Sequence, residues 1–223
     1  MSKNQLTSKF VDLSHPIEDG MRAYPGFPSP KIGAFLNHRD SAIRYEYKSE
    51  FYIGKVDMVC NVGTYLDAPF HRFEKEKDLS QIALENMAGL PGVVLNCNPK
   101  DRAIDLDLEI AGGIGGHAVL VRTGWDERWG KDDYWEPGPY ISEYSIESLV
   151  RSKPALIGVD FWNIDDTKNP HRPAHTKLLQ EGILIVEHLC SLSSLPSRGF
   201  RFFAIPPKIV KGASFPVRAF AEV

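Results

Sequence analysis

Cysteine is scarce in this sequence: Cys60, Cys97 and Cys190 are odd in number and far apart. Such spacing offers neither a disulfide framework nor a zinc knuckle, so three buried thiols are expected. Long apolar runs are missing as well. None approaches the ~20 residues that cross a bilayer, and stretches such as 155–159 have strand length. The first ten residues, MSKNQLTSKF, lack the apolar centre of a secretory signal, which makes the cytoplasm the expected compartment and a membrane an unexpected partner. Neither sign of charge dominates: 26 basic residues face 29 acidic ones, for a formal net charge of -3. Without a basic stripe to neutralise phosphates, nucleic acid is not an expected partner. Repeats, low-complexity tracts and Gly/Ser linkers are absent too, so 1–223 reads as a single domain.

What is present is punctuation and alternation. Sixteen prolines and eighteen glycines mark frequent turns. Residues 10–14 read as an edge strand that runs into a loop rich in proline. The alternating aromatic and β-branched stretch 44–62 predicts one or two antiparallel strands turning near 48–50. Residues 79–87 have helical spacing with Gly89 as a stop. Strands are predicted at 92–95, 117–121, 155–160, 183–186 and 200–205, and 217–221 as a closing edge. Residues 142–152 and 174–181 predict helices. A helix feeding a buried strand at 155–160 points to an α/β fold.

The chemistry concentrates in NVGTYLDAPFH, residues 61–71. If the first half is a strand, positions 61, 63, 65 and 67 share a face, and Asp67 emerges where Pro69 ends the pairing. Gly63 permits close backbone approach. A carboxylate four residues before His71 could serve a metal or acid/base site, although such a pair is more often a turn carboxylate and a surface imidazole.

This segment resembles the H-x-G-T-H-x-D-x-P-x-H signature of the cyclase family, which includes bacterial kynurenine formamidases and isatin hydrolases. DLSHP at 12–16, YPG at 24–26, RTGW at 122–125, GVD at 158–160 and PVR at 216–218 extend the resemblance along most of the chain. It implies a swivelling β/β/α fold with a mixed sheet core and few helices, assembled as a homodimer or homotetramer. It further implies that Asp67, His175 in PAHTKLL and Glu187 in IVEHL hold a divalent metal, and that His71 is the acid/base.

Asn61 and Tyr65 stand where the signature has two further histidines. Neither is a strong ligand for a hard cation, because the amide is neutral and a phenol must lose a proton of pKa ~10. One metal at most is therefore expected, zinc or manganese, with none as the alternative. Tyr65 either fills the vacated volume or hydrogen-bonds to substrate or to Asp67. Without the resemblance, His175 reads first as a packed, hydrogen-bonded core histidine. Glu187, after an apolar run, needs a partner in any case. His188 should point away from Glu187, and His15, His38, His117 and His171 read as structural or surface residues, with His171 held in reserve. Tyr24, Phe27, Trp125, Trp129 and Trp135 are candidate walls of a substrate pocket, joined by Asn61 and Tyr65.

The expected activity is hydrolysis of a C–N amide bond in a small aromatic formamide or lactam. The rival readings are a metal-independent cyclase, dehydratase or isomerase on the same fold, and a non-catalytic small-molecule binder.

Overall fold

The computed structural model describes residues 9–98, 102–108 and 112–223. In chain order its strands are β1 Phe10–Asp12, β2 Lys31–Leu36, β3 Ile53–Asp57, β4 Tyr65–Asp67, β5 Leu90–Asn96, β6 Ala103–Ile104, β7 Ala118–Arg122, β8 Tyr140–Ile141, β9 Leu156–Val159, β10 Leu184–Glu187, β11 Arg198–Phe203, β12 Ser214–Pro216 and β13 Phe220–Glu222. The helices are α1 His38–Arg44, α2 Glu143–Ser152 and α3 Pro173–Gln180. Nine strands form one mixed sheet in the order β1-β13-β11-β5-β7-β9-β10-β4-β12. The middle four, β5, β7, β9 and β10, run parallel, and antiparallel pairs flank them on both sides.

The parallel centre follows from composition. Apolar residues fill successive positions of β7, β9 and β10, and a strand buried on both faces needs that rather than alternation. Period two then sorts them: Val119, Val121, Ile157, Val159 and Ile185 face one core, and Leu120, Leu156, Leu184 and Val186 face the other. On the first face α2 and α3 contribute Ile146, Leu149 and Leu178. Ser142 starts α2 by accepting the Ser145 N–H at 3.2 Å, which supplies one of the donors a helix start leaves unpaired.

At the end of β9 the buried Asp160 carboxylate ties two strands' loops together. It accepts the Thr123 and Gly124 N–H groups, each at 2.7 Å, and the Thr123 hydroxyl at 2.6 Å. Burial pushes its pKa up to about 6 against the pull of those bonds. Asp160→Asn removes one acceptor oxygen and turns an amide N–H2 toward backbone donors. It should cost about 1–3 kcal/mol, read as a lower urea midpoint with an unchanged m value. An unshifted midpoint would show that these bonds are dispensable.

Several expectations need correction. Residues 79–87 form turns with a short 3-10 segment at Leu84–Asn86 rather than a helix. The Asp78 side chain takes the Ser80 N–H at 2.9 Å and the Lys211 N–H at 2.6 Å, holding the backbone in a turn. Within 44–62 only β3 forms. Its partner is the earlier β2, because Asn37 caps α1 by accepting the Asp40 N–H at 2.9 Å and places a helix between the two strands. The closing strand β13 lies between β1 and β11, and the short strand β12, unanticipated, takes the edge instead. Of the thiols expected to be buried, Cys60 is exposed and Cys97 and Cys190 are half-buried.

Candidate active site

Strand register assembles the site. In β4, Tyr65 lies directly opposite Glu187 of β10 on one side and Pro216 of β12 on the other, while Asp67 lies opposite Ile185 and Ser214. Residues two apart on a strand share a face, so Tyr65, Asp67, Glu187 and Ser214 project together. The strand is shorter than alternation predicts, since Gly63 takes φ +64° and leaves extended geometry. A Cβ there would also sit 2.9 Å from the Ile17 side chain, so glycine answers both conditions. Pro69 ends the pairing and opens a 3-10 turn, Pro69–His71, which carries His71 back beside Asp67.

Asp67 and Glu187 are fully buried. The Oδ1 of Asp67 accepts the Ser214 hydroxyl and, at 3.4 Å, the Asn61 amide. Its Oδ2 is buried without any hydrogen-bond partner. That orphan oxygen lies 3.7 Å from His175 Nε2, which is itself 3.8 Å from Glu187 Oε1. Glu187 accepts the Ile164 N–H at 2.7 Å and the Tyr65 hydroxyl.

The other nitrogen of His175, Nδ1, is 2.6 Å from Asp165 Oδ2. A carboxylate only accepts, so Nδ1 carries a proton, and Nε2 is the nitrogen turned toward Asp67 and Glu187, where a cation would have to displace its proton. Asp165 also holds the start of α3 through the Ala174 N–H at 2.6 Å and the His175 N–H at 3.2 Å. Ser214 fixes a second tautomer. Its one proton goes to Asp67, so its oxygen can only accept from His71 Nδ1 at 3.1 Å, leaving His71 Nε2 free. The His71 side chain is 33% exposed, against 5% for His175, so it stands at the mouth of the cluster.

Charge follows from these contacts. Burial alone would lower His175, but Asp165, Asp67 and Glu187 outweigh it and push its pKa up to about 10. Burial raises Glu187 to about 7 in spite of His175, while His71 and His175 hold Asp67 below the usual carboxylate range although burial opposes them. Burial, with Glu187 and Asp67 alongside, keeps the Tyr65 phenol protonated well above its ordinary value. Tyr65 is thus a hydrogen-bond donor to Glu187 rather than a phenolate.

These residues fit a divalent cation. Asp67, His71 and His175 each offer a donor atom, all within 4.8 Å of one another. Asp67 Oδ2 has no partner, and Asp67 and Glu187 converge on Nε2 of His175, so two carboxylates and one imidazole are gathered where a cation could replace the imidazole proton. Asp67 and His175 belong both to this trio and to the set expected from the sequence. The third donor is then His71 by proximity or Glu187 by burial.

The remaining candidates divide. A run of rings leads from Tyr65 through His188 at 5.4 Å, Trp135 at 5.9 Å, Trp162 at 5.9 Å and Tyr24 at 5.5 Å to Phe27 at 5.2 Å. Trp125 is a core residue: its indole N–H reaches the Tyr134 carbonyl at 3.0 Å, and Arg128 covers its ring at 4.1 Å. His188 turns away at φ +59° and meets the Tyr134 hydroxyl at 2.6 Å, and burial pushes its pKa down to about 3. His15 stacks on Trp129 at 4.0 Å, and His171 is exposed before α3.

Sequence reasoning missed Ser214, Asp165 and Trp162. Ser214 lies just before the quoted PVR segment and Asp165 just after GVD, which was the available signal. Neither serine nor a loop aspartate declares a partner 147 or 10 residues away.

Comparison with known proteins gives consistent neighbours. The family described as "Putative cyclase" matches residues 11–166. Kynurenine formamidase of Geobacillus thermodenitrificans strain NG80-2 is 27% identical over 215 residues, covering 96% of this chain and 97% of that protein. Isatin hydrolase A from Labrenzia aggregata, solved with benzyl benzoate, superposes with a TM-score of 0.82 at 24% identity, covering 97% of this chain and 94% of the other. A structure described as a potential metal-dependent hydrolase with cyclase activity gives 0.77 at 23% identity, covering 96% and 98%.

Proposed function

The chain belongs to the cyclase family, and from that premise we propose that it hydrolyses a C–N amide bond in a small aromatic formamide or lactam, with one divalent cation, zinc or manganese. The relatives named kynurenine formamidase and isatin hydrolase support this class of substrate. The observation that carries the proposal is the orphan Oδ2 of Asp67, buried beside Nε2 of His175.

Asp67, His175 and Glu187 would hold the cation. When bound, it supplies Lewis-acid polarisation of the scissile carbonyl. Glu187 is preferred to His71 as the third donor because it is fully buried, whereas His71 stands where water and substrate arrive. His71 takes the proton from the attacking water on its free Nε2 and returns one to the leaving nitrogen, while Ser214 holds the other side of the ring in place. Asn61 and Tyr65 act as neutral donors to Asp67 and Glu187, which confines the site to one cation. The ring run that ends at Tyr24 and Phe27 offers an apolar wall for an aromatic substrate.

Elemental analysis of protein purified without chelator, paired with a panel of aromatic formamides and lactams, tests the reading. About one equivalent of metal and chelator-sensitive hydrolysis are expected, and Glu187→Gln should lose the metal. Turnover that survives exhaustive chelation would favour the second reading, a metal-independent cyclase, dehydratase or isomerase, although Tyr65 bonds to Glu187 and not to Asp67 as that reading expected.

A further inference from the structure

His188 follows Glu187 directly, and its ring has Tyr65, Trp129, Tyr134 and Trp135 as neighbours at centroid distances of 5.4, 5.6, 5.7 and 5.9 Å. The proposed hydrolysis gives it no task. Its backbone holds φ +59°, a state that costs energy for a residue with a Cβ and persists only where the surroundings enforce it. Here they do. The His188 N–H donates to the Phe161 carbonyl at 3.2 Å, and the His188 carbonyl accepts the Thr64 hydroxyl at 2.5 Å. So fixed, the ring takes its place in the run of rings between Tyr65 and Trp135.

The Tyr134 hydroxyl sets the tautomer of that ring. Tyr134 is fully buried, and among the described residues its phenol has a single hydrogen-bond partner, His188 Nδ1 at 2.6 Å. Were Nδ1 the donor, the phenol proton would be sealed in without an acceptor, so the phenol donates and Nδ1 accepts. The imidazole proton then sits on Nε2. Two side-chain polar atoms of the described residues are sealed from solvent without a partner, Asp67 Oδ2 and His15 Nε2. His188 Nε2 has no partner either but is not sealed, so a residue only 3% exposed turns an unused N–H toward open space. Tyr65 and Trp135 stand beside it, which places that space along the aromatic wall. Tyr65 also separates it from the cation ligands, since the phenol oxygen is on Glu187 while the ring lies against His188. A group that meets Nε2 is therefore not the carbonyl under attack. The four surrounding rings supply no counter-charge, so the acceptor that fits is a neutral carbonyl oxygen rather than a carboxylate.

We propose that His188 is a specificity-determining residue whose Nε2–H donates to a neutral carbonyl oxygen carried by the substrate's aromatic ring, apart from the scissile amide. Tyr134 is the positioning residue that holds the required tautomer. The substrate's ring is taken from the proposed hydrolysis, which releases an aniline from an aryl formamide. The three aminoacetophenones, each beside the ethylaniline of the same substitution, serve as probes, with binding to the purified protein read by calorimetry. At one ring position at least, the wild type should bind the ketone about 10- to 100-fold tighter than its ethyl partner, as expected when a buried donor is left unpaired. His188→Asn tolerates the same φ and should bring that ratio close to one without changing the affinity for the ethyl compound. Nitrogen NMR of the histidine-labelled wild type should show His188 protonated at Nε2 alone, and Tyr134→Phe should release a share of the proton to Nδ1. No preference at any position, a preference that survives His188→Asn, or a wild-type ring protonated at Nδ1 would overturn the proposal. The spectrum and the wild-type ratio need no variant, so they decide the matter even if a variant misfolds. Binding needs no turnover, so a protein that keeps the preference yet cleaves no formamide would sink the hydrolysis alone.

Discussion

His71→Ala is expected to lower kcat by about 10²- to 10⁴-fold, the range for losing a positioned proton carrier, with the metal content unchanged. The Ser214 hydroxyl spends its proton on Asp67, so the His71 ring has its Nδ1–H held and its Nε2 free. Removing the ring deletes an interaction made only in the transition state, and kcat and kcat/KM should fall together while KM stays near its original value. The site's mouth is open at His71, so added imidazole should restore part of the lost rate. Unaltered turnover would remove His71 from the chemistry. Metal lost along with activity would instead make His71, rather than Glu187, the third donor, in keeping with the closeness of its nitrogen to Asp67 and His175.

Asp165→Asn is expected to weaken metal affinity by about 10- to 100-fold, the usual effect of losing a carboxylate behind a ligating histidine. Asp165 touches no part of the substrate space in this scheme. It fixes the His175 tautomer and ring orientation through the 2.6 Å contact at Nδ1. Asparagine keeps an oxygen for the Ala174 N–H, so the start of α3 should survive and the thermal midpoint should move little. A competition titration with a chromogenic chelator reads the affinity directly. Equal affinity in the two proteins would show that His175 needs no such brace, and a collapse in stability without an affinity change would make Asp165 a purely structural residue.

Much of the candidate site was legible in one segment. The spacing of Asp67, Pro69 and His71 requires only that a strand end at a proline, and the strand does end there. The strands at the centre of the sheet were legible for a related reason, since their continuous apolar runs allow few other placements. Short polar stretches misled. Residues 79–87 carry helical spacing, but the Asp78 side chain ties the start of this stretch to the distant Lys211 N–H, and the backbone stays in turns. The alternation in 44–62 was real for β3, while its partner lay upstream beyond a capped helix.

By itself, then, the sequence determined the strands of the parallel core through period and burial, while the residues expected to carry chemistry came from the resemblance of 61–71, PAHTKLL and IVEHL to a family signature. Only the tertiary structure decided which partners those groups have. The pairing of Tyr65 with Glu187, of Ser214 with both Asp67 and His71, and of Asp165 with His175 depends on strand register and on loops meeting across the sheet. A hydrogen bond is decided over about 3 Å, and distance along the chain carries no information at that scale.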